Sequence, residues 1–133
     1  MDVLIYGCSG LTLALAPSLA QAGHQLTVID PDADRLALLK TVAQVEAIMA
    51  AEPLMQDYLQ EGGISEAGAL LALSEDDHKN VLVAQIAHHI FNVPRVLCFL
   101  KDPALQEFYR GRAITVASAG PDFVPSAREF VEQ

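Results

Sequence analysis

The stretch Tyr6–Thr12, YGCSGLT, holds the residues best suited to chemistry. It lies between an apolar run, Val3–Tyr6, and a helical pattern that reaches Ala22 and closes on Gly23. A strand, a glycine turn and a helix in that order aim unpaired backbone N–H groups at one point, and such a point attracts a phosphate. In the G-x-G-x-x-G form of this loop the first glycine makes the tight turn. The second lets the backbone approach a diphosphate, and the third lets helix and strand pack closely. Gly7 fills the first place, while Ser9 and Thr12 stand at the second and third, with Cys8 and Leu11 between. Read as G-x-x-G, Gly7 and Gly10 frame a differently shaped turn flanked by the hydroxyls of Ser9 and Thr12. Side chains at positions 9 and 12 are expected to obstruct a diphosphate and leave its binding weak. Pro17 adds a second departure, since a proline inside a helix deletes one backbone hydrogen bond and costs about 3 kcal/mol unless the helix starts late or bends.

The second candidate is Asp30, which closes LTVID 23 positions after Gly7. At the end of a second strand an acidic side chain can take both hydroxyls of a ribose. A carboxylate there repels a 2′-phosphate unless a cation offsets it, and Arg35 is the cation one helical turn on. The expected ligand is therefore NAD(H) or an adenine nucleotide (ATP, ADP or AMP) in preference to NADP. Asp30 before Pro31 is equally readable as a helix N-cap or a turn residue.

Catalytic constellations are absent. His88 and His89 are adjacent on a helical pattern and so are expected to point apart, His78 sits in an acidic first turn, and His24 has no evident partner. G-x-S-x-G, H-E-x-x-H and S-x-x-K do not occur, and Tyr6, Tyr58 and Tyr109 are followed four residues on by Gly10, Gly62 and Ala113, not by lysine. Cys8 and Cys98 lack zinc or disulfide-framework spacing, which fits a reducing cytoplasm. A net charge of −9 repels nucleic acid and anionic membrane surfaces. Asp2 replaces the basic start of a signal peptide, and Pro17 and Ser18 interrupt the apolar N-terminal run, so no membrane insertion is expected.

The elements that must position these residues alternate between short β-rich runs and longer helical patterns. Strands are predicted at Val3–Tyr6, His24–Asp30, Val45–Met49, Ala69–Leu73, Pro94–Leu100 and Ala113–Ala117. Helices are predicted over 31–43, with Leu36, Leu39 and Val42 at helical spacing, over 52–63, from a Ser74-to-Asp77 capping box through Phe91, over 102–111, and from Pro125 on. Residues 1–133 are thus expected to form one α/β domain, a Rossmann-like doubly wound parallel sheet of six strands in the order 3-2-1-4-5-6.

Together the residues resemble the nucleotide-binding lobe of the RCK/KTN family (TrkA-N domains), regulators of potassium channels and transporters. The most specific portion is LALSEDDHKNVLVAQIAHHIFNVPRVLCFLKDP, and AGHQLTVIDPDADRL matches the second-strand segment. The resemblance implies a glycine loop over Gly7–Thr12 and a ribose-binding acid at Asp30. It also implies adenosine contacts at Ala51 and Glu52, where the family has Gly-Asp, and a Ser/Thr contact at Ser74. Ser9, Thr12, Ala51 and Glu52 depart from the family pattern, as does Phe99, where a basic residue is frequent. The resemblance further implies a homodimer or larger ring, a membrane potassium channel or transporter as partner, and a crossover helix near Pro125–Gln133 leading to a second lobe. Apolar Phe123, Val124, Phe130 and Val131 face either a partner or the domain's own sheet. The leading expectation is a non-catalytic regulatory domain. A lobe kept only as a dimerisation or scaffold module comes second, and a small NAD-dependent oxidoreductase third.

Overall fold

The computed structural model describes residues 1–42, 44–50 and 55–133. Six strands, β1 (Asp2–Tyr6), β2 (Gln25–Asp30), β3 (Val45–Met49), β4 (Ala69–Ala72), β5 (Arg95–Phe99) and β6 (Thr115–Ala117), make one sheet. They alternate with α1 (Gly10–Gln21), α2 (Ala33–Ala37), α3 (Met55–Glu61), α4 (Asp77–Gln85), α5 (Pro103–Tyr109) and α6 (Phe123–Glu132). Every pairing is parallel and the order is 3-2-1-4-5-6, as the sequence pattern predicts.

Side-chain alternation explains the two-sided core. β1 sends Val3 and Ile5 to one face and Leu4 and Tyr6 to the other, and β4 likewise divides Leu71 and Leu73 from Leu70 and Ala72. All are buried, and strands covered on both faces read as unbroken apolar runs. Leu15, Leu19, Leu36, Ala127 and Val131 bring α1, α2 and α6 onto the first face; Leu59, Val83 and Ala84 bring α3 and α4 onto the second. Tyr6 is level with Ile29 on one side and Ala72 on the other, so β1, β2 and β4 end together where the strand order reverses. That switch point is where a doubly wound sheet leaves a crevice.

Several predicted elements differ. The helix expected over 31–43 is only Ala33–Ala37, capped by Asp32, whose Oδ1 accepts from the N–H groups of Asp34 (2.9 Å) and Arg35 (3.3 Å). Leu36 and Leu39 still reach the core, but the β-branched Thr41 and Val42 fall in turns. The long helix expected through Phe91 is α-helical to Gln85 and then makes a π-helical turn, Ile86–Ile90. Its N-cap is Asp76, which accepts from Lys79 N–H at 3.1 Å, and not Ser74. α1 runs from Gly10 to Gln21 with Pro17 inside it and no break in the helix there. α6 begins at Phe123, and its buried Phe123 and Val131 face α1 and the sheet, with Val124 and Phe130 half-buried beside them. The apolar side of α6 thus covers the domain's own core. The predicted start of the third helix, residues 52–54, lies outside the described residues, and the other predicted ends are within two residues.

Candidate functional site

Gly7 leaves β1 with φ of +95°, in the left-handed region, and donates its N–H to Ile29 O at 2.7 Å. A Cβ on Gly7 would stand 2.6 Å from both Cα and N of Ser74, so the turn admits no side chain for reasons of space as well as conformation. Cys8 N–H then donates to Asp30 Oδ1 at 2.7 Å. Ser9 is extended (φ −89°, ψ −179°) and occupies the N-cap of α1 without making a capping bond. Its Oγ is buried and has no partner among the described residues.

Gly10 is the first residue of α1 and is helical, so the alternative Gly7/Gly10 turn does not form: of these two, Gly7 alone is a turn glycine. A Cβ at Gly10 would meet nothing within 4 Å among the described residues, which leave the helix start uncovered. The first helical bond runs from Leu13 N–H to Ser9 O (3.0 Å), so the N–H groups of Gly10, Leu11 and Thr12 lack helical acceptors and point out of the helix end. Thr12 is fully buried, and its Oγ1 donates to Gly7 O at 2.5 Å. Thr12, expected to obstruct a diphosphate, also ties the first helical turn to the loop.

Asp30 is 4% exposed. Its carboxylate accepts from Cys8 N–H on one oxygen and from Asp32 N–H (2.8 Å) on the other, so it is a clasp between the glycine loop and the β2–α2 turn, and the N-cap is Asp32. Pro31 and Arg35 are exposed beside it, with Arg35 Nε 3.6 Å from Asp32 Oδ2. Cys8 Sγ–H donates to Arg35 O at 3.4 Å. Burial first, and the Asp30 carboxylate second, push the Cys8 thiol up to about 11, so it stays protonated at neutral pH.

On the β4 side, Ser74 is held by Asn80, a residue of α4 that sequence reasoning did not single out as a site residue. Asp77 accepts from the N–H groups of Lys101 and Asp102, both at 2.9 Å, and joins the loop after β4 to the loop after β5. Asp76 and Asp77 of SEDDHKN are therefore spent on backbone, while Glu75 lies 3.8 Å from Lys101 Nζ. Their signal was the Ser-Glu-Asp-Asp run before a helix, read as a capping box. His24 does have a partner, Glu132 Oε2, 3.4 Å from its Nε2. His88 and His89 do not point apart, because the π-helical turn brings their rings to 4.7 Å between centroids. Among the described residues no group of side chains forms a metal site, and no helix is long and apolar enough to cross a membrane.

The structure thus gathers Gly7, Cys8, Ser9, Thr12, Asp30 and Ser74 at the switch point, with Gly10 and Leu11 on the start of α1 and Pro31 and Arg35 beside Asp30. Ala51 and Glu52 lie outside the described residues.

The family model of the TrkA-N domain matches residues 3–118. The chain belongs to the TrkA-N domain family. It is 36% identical over 119 residues to the Trk system potassium uptake protein TrkA of Streptomyces coelicolor, a match covering 89% of this chain and 53% of that relative. The chain therefore spans about half the length of that protein. In fold it resembles the crystal structure of the TrkA-N domain of the Escherichia coli inner membrane protein ybaL (TM-score 0.74, 14% identity, 96% of this chain and 94% of that one). It also resembles the Bordetella bronchiseptica enzyme WbmG, solved in complex with NAD (TM-score 0.60, 19% identity, 99% of this chain and 49% of that one). At such identities these two structures speak for the fold alone, a TrkA-N fold that an NAD-binding enzyme shares.

Proposed function

We propose that this TrkA-N domain is a regulatory module of a potassium transport system. In this reading it performs no chemistry of its own and binds NAD(H) or an adenine nucleotide (ATP, ADP or AMP) at the switch point. The observation that carries the reading is the start of α1, where the N–H groups of Gly10, Leu11 and Thr12 lack helical acceptors, a Cβ on Gly10 would meet no described residue within 4 Å, and the buried Ser9 hydroxyl has no partner among the described residues. Three backbone donors, the positive end of a helix and one hydroxyl donor suit a phosphate. The diphosphate is held weakly because two groups that would serve it are already engaged: Cys8 N–H on Asp30 and the Thr12 hydroxyl on Gly7 O. Lone pairs left on Asp30 serve a ribose hydroxyl, Ala51 and Glu52 serve the adenosine portion, and Arg35 and Pro31 border the ribose side.

The lack of a Tyr-x-x-x-Lys pair or any other catalytic set speaks against an oxidoreductase. Its relatives are named for a potassium uptake system, and in this reading the partner is a membrane potassium transporter or channel, met from the cytoplasm by a homodimer or larger ring of these domains. A second reading, a lobe that has lost its ligand and serves as a scaffold, is favoured by one observation: the loop is bonded to its own surroundings through Ile29 O, Asp30 and Thr12. Calorimetric titration with NADH, ATP, ADP and AMP separates the two. The regulatory reading expects binding by at least one of them with Kd of about 10 μM to 1 mM. No binding by any of them at millimolar concentration overturns it in favour of the scaffold.

A further inference from the structure

We infer that Asn80 is a positioning residue that sets the height of the glycine loop at the switch point without touching the ligand. The carboxamide of Asn80 is fully buried and makes four hydrogen bonds. Its Oδ1 accepts from Ser74 N–H (3.0 Å) and from Ser74 Oγ–H (2.6 Å). Its Nδ2 donates to Ser74 O (2.9 Å) and to Phe99 O (2.8 Å). Both lone pairs and both hydrogens of the amide are thus used, which leaves it one orientation.

Ser74 follows β4, and its backbone N–H and C=O both end on this one side chain. Its Cα, N and Cβ fill the space where a side chain of Gly7 would stand, at 2.6 to 2.7 Å from that point. Ser74 is therefore the floor on which Gly7 rests, and Asn80 fixes the floor. The same amide ties it to Phe99 at the end of β5, so three strand ends share one anchor. The Ser74 hydroxyl hydrogen is engaged by Asn80 at 2.6 Å and its oxygen accepts from Asp76 N–H at 3.3 Å, so Ser74 shapes the crevice by its backbone and keeps no donor for a ligand. Ser74, assigned a ligand contact by resemblance, acts mainly as part of this support.

The structural half of the inference stands on these bonds, while its effect on ligand affinity rests on the nucleotide reading above. The test compares Asn80→Asp with Val83→Ala, both on the whole chain. Val83 is equally buried on α4 but has only apolar contacts, so it supplies a loss of stability with no polar support removed. Amide exchange without nucleotide comes first. Asn80→Asp should lower the protection of Gly7 and Cys8 roughly tenfold near pH 8, where a carboxylate faces the carbonyls of Ser74 and Phe99. Part of that protection should return near pH 5, as the protonated acid regains a donor. Val83→Ala should leave the loop no less protected than its global stability requires, with no such pH dependence. If Asn80→Asp does not fold, Ser74→Ala, which removes the 2.6 Å bond to Asn80 together with the 3.3 Å contact to Asp76, takes its place, with a roughly threefold loss of Gly7 and Cys8 protection expected at either pH.

NADH affinity comes second, expected to fall about tenfold in Asn80→Asp and less than twofold in Val83→Ala. Equal loop protection in the two variants, or no pH dependence in Asn80→Asp, overturns the positioning role. If the unaltered chain binds no nucleotide while the exchange result holds, the nucleotide reading fails and the positioning role stands. Undiminished NADH affinity in Asn80→Asp, with the loop loosened, removes its effect on binding.

Discussion

Replacing Ser9 by alanine sets two physical rules against each other. A serine at a helix N-cap ordinarily accepts a bond from the first turn, and its loss costs about 1 kcal/mol. In this domain Ser9 makes no such bond, is 4% exposed, and buries an Oγ with no partner among the described residues. A buried hydroxyl left unsatisfied is destabilising by about 1–3 kcal/mol, so its removal, less a little packing, should stabilise the ligand-free protein by about 1 kcal/mol. The two rules therefore differ by about 2 kcal/mol, well outside the error of paired urea curves with a common slope. For a chain of this size the gain corresponds to a rise in Tm of about 3–5 °C. In the proposed function the same hydroxyl donates to a phosphate oxygen, so alanine should also weaken nucleotide binding by about fivefold, near 1 kcal/mol. More stable and weaker-binding is the expected pair. A loss of stability would show that the hydroxyl caps the helix. Tighter binding would show that the side chain obstructs, as the sequence alone suggested.

Gly7→Ala should cost about 3 kcal/mol, from left-handed backbone strain of roughly 1–2 kcal/mol and from overlap with Ser74 that forces the loop off its floor; thermal unfolding checks it. Asp30→Ala strips a partner from the buried Cys8 N–H and the half-buried Asp32 N–H, so it should destabilise by about 2–4 kcal/mol, and any change in affinity must be measured at temperatures where the variant is folded. Burial, aided by Asp30 at Cys8 and by Asp77 at Cys98, raises the two thiols from 9.0 to about 11 and about 12. Above pH 9 the unfolded chain loses these protons first, so stability should hold up to about pH 9 and fall from there towards pH 11–12. Urea curves at pH 8 and pH 10 test this, and a smaller drop is expected in Cys98→Ala.

The sheet was readable in the sequence because burial on both faces writes itself as runs such as ALLAL, and because parallel order follows from helices between every pair of strands. That Gly7 and Asp30 would lie together was readable from the strand order, which brings the ends of β1 and β2 to one switch point, whereas Ser74 entered the site only through the family resemblance. Their roles were less so. Thr12 looks like an obstruction from its bulk, and only the fold shows its hydroxyl reaching Gly7 O. Asp30 looks like a free ribose acid or a cap until Cys8 N–H and Asp32 N–H are seen to occupy it. Asn80 gives no composition signal, since its partners at Ser74 and Phe99 lie 6 and 19 positions away. Helix ends were misplaced at the C-terminal side of α2 and α4, while at their starts the cap falls on Asp32 and Asp76, two residues after Asp30 and Ser74.

The central claim, that a nucleotide sits on the start of α1, is tested most directly by following backbone amide resonances while NADH, ATP, ADP or AMP is added. The account predicts that at least one of them moves the Gly10, Leu11 and Thr12 signals most, saturating with Kd of about 10 μM to 1 mM, while the signals of the β6 edge at Thr115–Ala117 stay in place. It is contradicted if no added nucleotide moves those three amides, or if the largest shifts lie away from the switch point.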